Sequence, residues 1–259
     1  MKKEDVEKNL YEFFVRNFGE VDESYNPNTD ILPQAIFRRE EIPIADYLMS
    51  FKEGLIADYM KGFDSLEEAV KAQGNNNLGN RSDHFPSDEQ ELIRTFTSDT
   101  DSVSNPNAWQ SVALRYRHTD AGIDYNPDRG TRYPTAHRLV QDFNDDCPIA
   151  NYSYMAPNSV LHRHTGPENR TGEYIRIHIP LIIPKGDVFF ECNGEEVDWS
   201  DIFAFDNQLV HSAHNLSNEH RLIFLIDIRR SRIGMPPGQL FNKDRQMYSL
   251  SKPFIRKPK

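Results

Sequence analysis

The sequence predicts a mainly β fold with α additions, a double-sheeted jelly roll with helices packed on one face. Three observations lead there. From Trp109 onward, short runs rich in β-branched and aromatic residues alternate with turn residues. Before Trp109, apolar residues recur at helical spacing instead. One helical run, Thr135 to Phe143, interrupts the strands.

In chain order, Val6, Leu10, Phe13, Phe14 and Phe18 mark a helix within residues 4–18. A second helix starts behind Pro43, a residue suited to a first helical turn. There Ile44, Tyr47, Leu48, Phe51, Leu55, Tyr59 and Met60 form one apolar stripe before Gly62, which should lie against a sheet. From Gln73 to Asn107 the composition turns polar, with Asn75-Asn76-Asn77, Gly79 and Asn105-Pro106, and reads as a long loop holding at most a short helix from Glu89 to Thr95. Strands follow at Ser111 to Arg117, Ile149 to Met155, Val160 to His164, Tyr174 to Ile183, Val188 to Cys192, Ile202 to Phe205, Val210 to His214 and Arg221 to Asp227. Asn158, Gly186, Asn193-Gly194 and Asn215 punctuate them. The chain thus divides into a helical lead and loop over 1–108, a β core over 109–230 and a tail over 231–259, without internal repeats.

Composition removes several classes. With 259 residues and 37% hydrophobic residues the chain can bury a core. No run approaches the roughly 18 apolar residues of a membrane helix. The N-terminus, Met1-Lys2-Lys3-Glu4-Asp5, carries charge in place of a signal's apolar region, so a cytoplasmic address is expected. Two cysteines, Cys147 and Cys192, make no disulfide framework and are expected as reduced thiols. The net charge is −10, but from Arg229 onward nine Lys/Arg face one acid, Asp244. The tail is therefore +8 and reads as a solvated segment folding back on an acidic body, a balance that argues against broad nucleic-acid binding.

The residues able to do chemistry gather late in the chain. His162 and His164 share a face if their segment is extended, and His178, His211 and His214 follow, so a metal site is worth weighing against hydrogen-bonded core histidines. Arg221 opens the apolar run Leu222 to Ile226, and Arg176 is flanked by Ile175 and Ile177. A buried cation is costly unless paired. A bound carboxylate would satisfy it, and arginine offers a two-pronged fork for one. Two histidines with two embedded arginines suit a metal beside a dicarboxylate.

The segments His164-Thr165-Gly166-Pro167, Arg176-Ile177-His178, Phe205-Asp206 leading to His211, and Arg221 before an apolar strand ending in Asp227 together resemble the aspartyl/asparaginyl β-hydroxylase family over about Trp109 to Arg230. The resemblance implies a double-stranded β-helix, a cupin-like jelly roll, and an Fe(II)- and 2-oxoglutarate-dependent dioxygenase that uses O2. His164 and His211 would be the two iron ligands and the catalytic residues. Arg221, helped by Ser153, would hold the distal carboxylate of 2-oxoglutarate, with Arg176 and His178 at its chelating end. Gly166 stands where most iron oxygenases carry a third, carboxylate ligand; this group lacks it, which implies looser iron binding. The reaction implied releases succinate and CO2 and hydroxylates an unactivated carbon of an amino-acid-like or peptidyl substrate.

On the substrate side, Tyr174 stands where animal members place an arginine for the substrate carboxylate, and Ser111, two residues after Trp109, stands in place of a glutamine. An uncharged pair of this kind cannot clamp a carboxylate, although Arg115 or Arg117 could supply replacement contacts. Three other readings stay open at this point. One is a cupin-type metal enzyme using His162, His164, Glu168 and His211. The others are a 2-oxoglutarate-dependent halogenase and a non-catalytic carboxylate-binding module. The sequence is silent on oligomeric state.

Overall fold

A computed structural model describes residues 34–73, 109–116, 131–164, 172–207, 209 and 211–238, with backbone alone at 73, 116 and 162–164. Two antiparallel sheets face each other. Six strands run in the order β1 (Ile36–Arg38), β8 (Phe203–Phe205), β5 (Tyr174–Ile182), β10 (Arg221–Arg229), β3 (Ile149–Met155) and β2 (Trp109–Tyr116). Four form the second sheet, β4 (Ser159–His164), β9 (His211–Asn215), β6 (Val188–Cys192) and β7 (Glu195–Asp198). This is the mainly β, double-sheeted jelly roll that the strand spacing predicts.

Alternation along each central strand builds two cores from one sheet. Leu222, Phe224, Ile226 and Ile228 of β10, with Ile175, Ile177 and Ile179 of β5, face the helices. Ile223 of β10 and Met155 of β3 face the second sheet, where Phe190, Val197, Phe203, Phe205 and Trp199 fill the space between. Each such side chain, fully buried, contributes about 1.5–3 kcal/mol relative to exposure. Cys147 lies in the first core and Cys192 in the second, with no disulfide between them.

The helices cover the outer face of the larger sheet. The stripe behind Pro43 forms two helices, α1 (Ala45–Met49) and α2 (Lys52–Met60), where one was expected. At the junction the Ser50 and Phe51 amides donate to the carbonyls three residues back, Tyr47 and Leu48, at 3.2 and 3.1 Å. The Ser50 hydroxyl also takes the Tyr47 carbonyl at 2.6 Å, competing with the helical ladder. A further helix, α3 (Leu66–Gln73), occupies the approach to the expected loop. The expected core helix appears as α4 (Pro134–Phe143), burying Ala136, Leu139, Val140 and Phe143.

Helices α2 and α4 are joined closely. A Cβ at Gly54 would stand 2.7 Å from Thr135 Cγ2, so only glycine allows this approach. Buried Asp58 of α2 accepts from the Thr135 and Ala136 amides at 2.6 and 3.2 Å, supplying the carboxylate that α4 lacks in its own first turn. At the other end Arg115, buried on β2, donates to the Asn144 and Cys147 carbonyls. It is thereby committed to the end of α4, and Arg117 lies outside the described residues.

Two short strands escape the sequence pattern. Strand β1 brings the lead into the larger sheet, pairing with β8. Strand β7 closes a hairpin with β6 through Asn193 and Gly194, both at positive φ (51° and 85°), as a two-residue turn requires. The expected helix over 4–18, the body of the 73–107 loop and the end of the tail lie outside the described residues. Among those described, no helix is long and apolar enough to cross a membrane.

Candidate functional site between the sheets

Period-two alternation sets Ser153 on β3, Arg176 and His178 on β5, and Arg221 on β10 on the face opposite their helix-packed neighbours. His211 comes from β9 across the gap, where its neighbour Ala213 packs in the inter-sheet core. The residues nominated for iron and cosubstrate whose side chains are described therefore come from four strands of both sheets.

Arg221 is 1% exposed, with its Cζ 4.6 Å from the centre of the Trp199 ring. Among the described residues no carboxylate pairs with it, and its Nε has no hydrogen-bond partner. Burial pushes its pKa down to about 9. The other face of Trp199's environment is His178, stacked on the indole with centroids 5.1 Å apart and planes 13° apart. Phe190, Phe203 and Phe205 pack edge-on around the imidazole. Burial, with Arg176, Arg221 and His211 adding like-charge repulsion, holds His178 well below the usual histidine range, so it is neutral. Its Nδ1 and the Trp199 Nε1 are also buried without a hydrogen-bond partner. Three orphaned polar atoms in one stack are unusual, since buried polar groups are nearly always paired.

Arg176 differs from what its apolar neighbours suggest. Its Nε and Nη2 reach the two Asp227 carboxylate oxygens at 2.7 and 2.8 Å, a bidentate pair that is almost fully buried. Residues 176 and 227 are register partners across β5 and β10, a pairing invisible in the sequence. The argument from an unpaired cation therefore applies to Arg221 and not to Arg176.

His211 is buried, and its Nδ1 lies 2.7 Å from the Leu209 carbonyl. A carbonyl only accepts, so Nδ1 carries the proton and the lone pair of the neutral ring is on Nε2. On the neighbouring strand, the backbone of His164 is the register partner of His211, after a bulge that follows Leu161. Gly166 and Glu168 lie outside the described residues, as do the side chains of His162 and His164. Among the described residues there is no group of three His, Cys, Asp or Glu poised for a metal.

The nominated substrate residues divide. Trp109 and Ser111 on β2 flank Ser153: Ser111 is its register partner, and the Trp109 indole donates to Ser153 Oγ at 3.0 Å. Tyr174 sits at the far end of β5 from His178, half-buried, its hydroxyl accepting from Arg229 Nη2 at 2.7 Å and its ring beneath the same guanidinium. Trp199 escaped the sequence reading, because it stands in the connection between β7 and β8 with no periodic pattern around it.

Two facing sheets with an arginine, an indole and a histidine gathered between them define a jelly roll with a polar site in its interior. The family model described as aspartyl/asparaginyl beta-hydroxylase matches residues 68–231, and the chain belongs to that family. The curated aspartyl/asparaginyl beta-hydroxylases of Homo sapiens and Mus musculus are each 33% identical over 79 residues, 30% of this chain and 10% of theirs. The chain thus aligns with a small part of those relatives' length. Among solved structures, a Cupin 2 conserved barrel domain protein from Salinispora arenicola covers 49% of this chain and 80% of its own at 10% identity and a TM-score of 0.29, too low to add to the architecture read from the strands.

Proposed function

We propose that this chain is an Fe(II)- and 2-oxoglutarate-dependent dioxygenase that hydroxylates an unactivated carbon of an amino-acid-like or peptidyl substrate. The observation that carries this reading is Arg221, a fully buried guanidinium without a carboxylate partner among the described residues, lying over the Trp199 indole that also stacks with a neutral histidine. A dicarboxylate supplies the charge and the acceptors this stack lacks.

In this reading the distal carboxylate binds Arg221 and Ser153. Ser153 suits the task, since its oxygen already accepts from Trp109 and its own proton is left to donate. His178, neutral in its aromatic box, offers a ring nitrogen near the other end, and Arg176 acts through a guanidinium that Asp227 holds in place. His164 and His211 would hold the iron. The donor set fits: the Leu209 carbonyl orients His211 and fixes its tautomer, as partners of metal-binding histidines commonly do. Register partners on adjacent strands have Cβ atoms about 4.5–5.5 Å apart, a separation at which two imidazoles can share an ion. Bound iron, with 2-oxoglutarate and O2, supplies the oxidising chemistry. The chain's own residues bind, orient and exclude water, and none is required as a general base.

Adding Fe(II) and 2-oxoglutarate without oxygen should give the visible charge-transfer band of the chelate. His162→Ala should retain it and His211→Ala should lose it. No band in the wild-type protein, or loss with His162→Ala, would favour the cupin-type ligand set instead.

A further inference from the structure

Asn151 lies on β3 two residues from Ser153, on the face opposite the helix-packed Ala150 and Tyr152, and so toward the space between the sheets. Its register partners there are Ala113 on β2 and Leu225 on β10, and His178 is the partner of Leu225 on its far side. A carboxamide is thus set in one cross-strand row with His178, flanked by a methyl and an isobutyl group that offer it no hydrogen bond. Its Oδ1 is buried without a partner.

In the oxygenase reading Arg221 is taken by the cosubstrate, and three other arginines of this sheet are already engaged. Arg176 forks onto Asp227, Arg229 bonds Asp146, Glu173 and Tyr174, and Arg115 bonds the carbonyls at the end of α4. Resting on the oxygenase reading above, we infer that Asn151 is a substrate-recognition residue, and that it selects a carboxamide or amide group over a carboxylate. The Asn151 amide carries an acceptor oxygen on one side and an N–H donor group on the other. Another amide satisfies both. A carboxylate has no proton for the acceptor, and no committed arginine nearby is released to compensate.

The test is binding, read by titration calorimetry with Mn(II) in place of iron and with 2-oxoglutarate present. The probes are L-asparagine and L-glutamine against L-aspartate and L-glutamate, each free and within a blocked tripeptide. The wild-type protein should bind the better carboxamide probe about 10-fold tighter than its carboxylate counterpart. Asn151→Ala should bring that ratio close to one, and Asn151→Asp, which repels a carboxylate, should raise it. The 2-oxoglutarate affinity should be the same in all three proteins, which also reports that the variants fold. No carboxamide binding by the wild-type protein, equal binding of both probe classes, or an unchanged ratio in Asn151→Ala overturns the assignment. If 2-oxoglutarate fails to bind while the ratio responds to Asn151, the cosubstrate reading falls and the role of Asn151 stands.

Discussion

Replacing Arg221 by methionine separates the two demands on a buried cation, because the same side chain that destabilises the empty protein is the one proposed to bind 2-oxoglutarate. Burial takes the guanidinium from its ordinary pKa of 12.5 to about 9. At 1.36 kcal/mol per pKa unit this is a cost of about 5 kcal/mol for keeping the charge in place. The Trp199 ring beneath the guanidinium returns about 2 kcal/mol as a desolvated cation–π contact. The difference, about 3 kcal/mol, agrees with the ~1–4 kcal/mol gained elsewhere when buried charges give way to apolar side chains of similar volume. Arg221→Met should therefore raise the ligand-free melting temperature by roughly 6–12 °C, at about 2–4 °C per kcal/mol for a chain of this size. In the proposed reading 2-oxoglutarate should raise the melting temperature of the wild-type protein, and the same variant should lose that shift. Differential scanning calorimetry with and without 2-oxoglutarate reads both. A variant less stable than wild type when empty, or one that still responds to 2-oxoglutarate, refutes the reasoning.

Two further outcomes are expected. Arg176→Met leaves Asp227 as a buried carboxylate without its counter-ion and should cost about 3–5 kcal/mol in urea unfolding, whereas Arg176→Met with Asp227→Leu should recover most of the loss. His178 is depressed in the folded protein, chiefly by burial, so the unfolded chain takes up a proton first as pH falls below about 6.5. Stability should thus be complete above that pH and decline below it, and His178→Phe, which fits the surrounding phenyl rings, should flatten that decline in acid titrations followed by circular dichroism.

The sequence exposed most of what is carried by local pattern. Strand β10 was legible because Leu222 to Ile226 is an unbroken apolar run, and Arg221 stood out as a cation at its start. Strand β7 was not, because Glu195-Glu196-Val197-Asp198 has one apolar residue and forms only when the Asn193-Gly194 turn delivers it to β6. The break between α1 and α2 was hidden for a similar reason, since the Ser50 hydroxyl competes with a ladder whose apolar stripe is continuous. In the site, the backbone pairing of residues 164 and 211 and the ion pair of Arg176 with Asp227 depend on register between strands about 50 residues apart. Trp199 and Asn151 gained meaning only from the groups beside them, one from a guanidinium overhead and the other from neighbours that leave it without a bond.

Strand β10 faces helices with Leu222, Phe224, Ile226 and Ile228 and the opposite side with Arg221, Ile223 and Asp227. Inserting or deleting one residue there would turn the guanidinium into the oily layer beneath the helices and drive phenylalanine into the space between the sheets. Changes of length are therefore tolerable only at the ends of this strand. Point changes at alternate positions can alter the inter-sheet face without disturbing the helix-packed one, which lets one architecture vary its interior chemistry while its skeleton is held fixed.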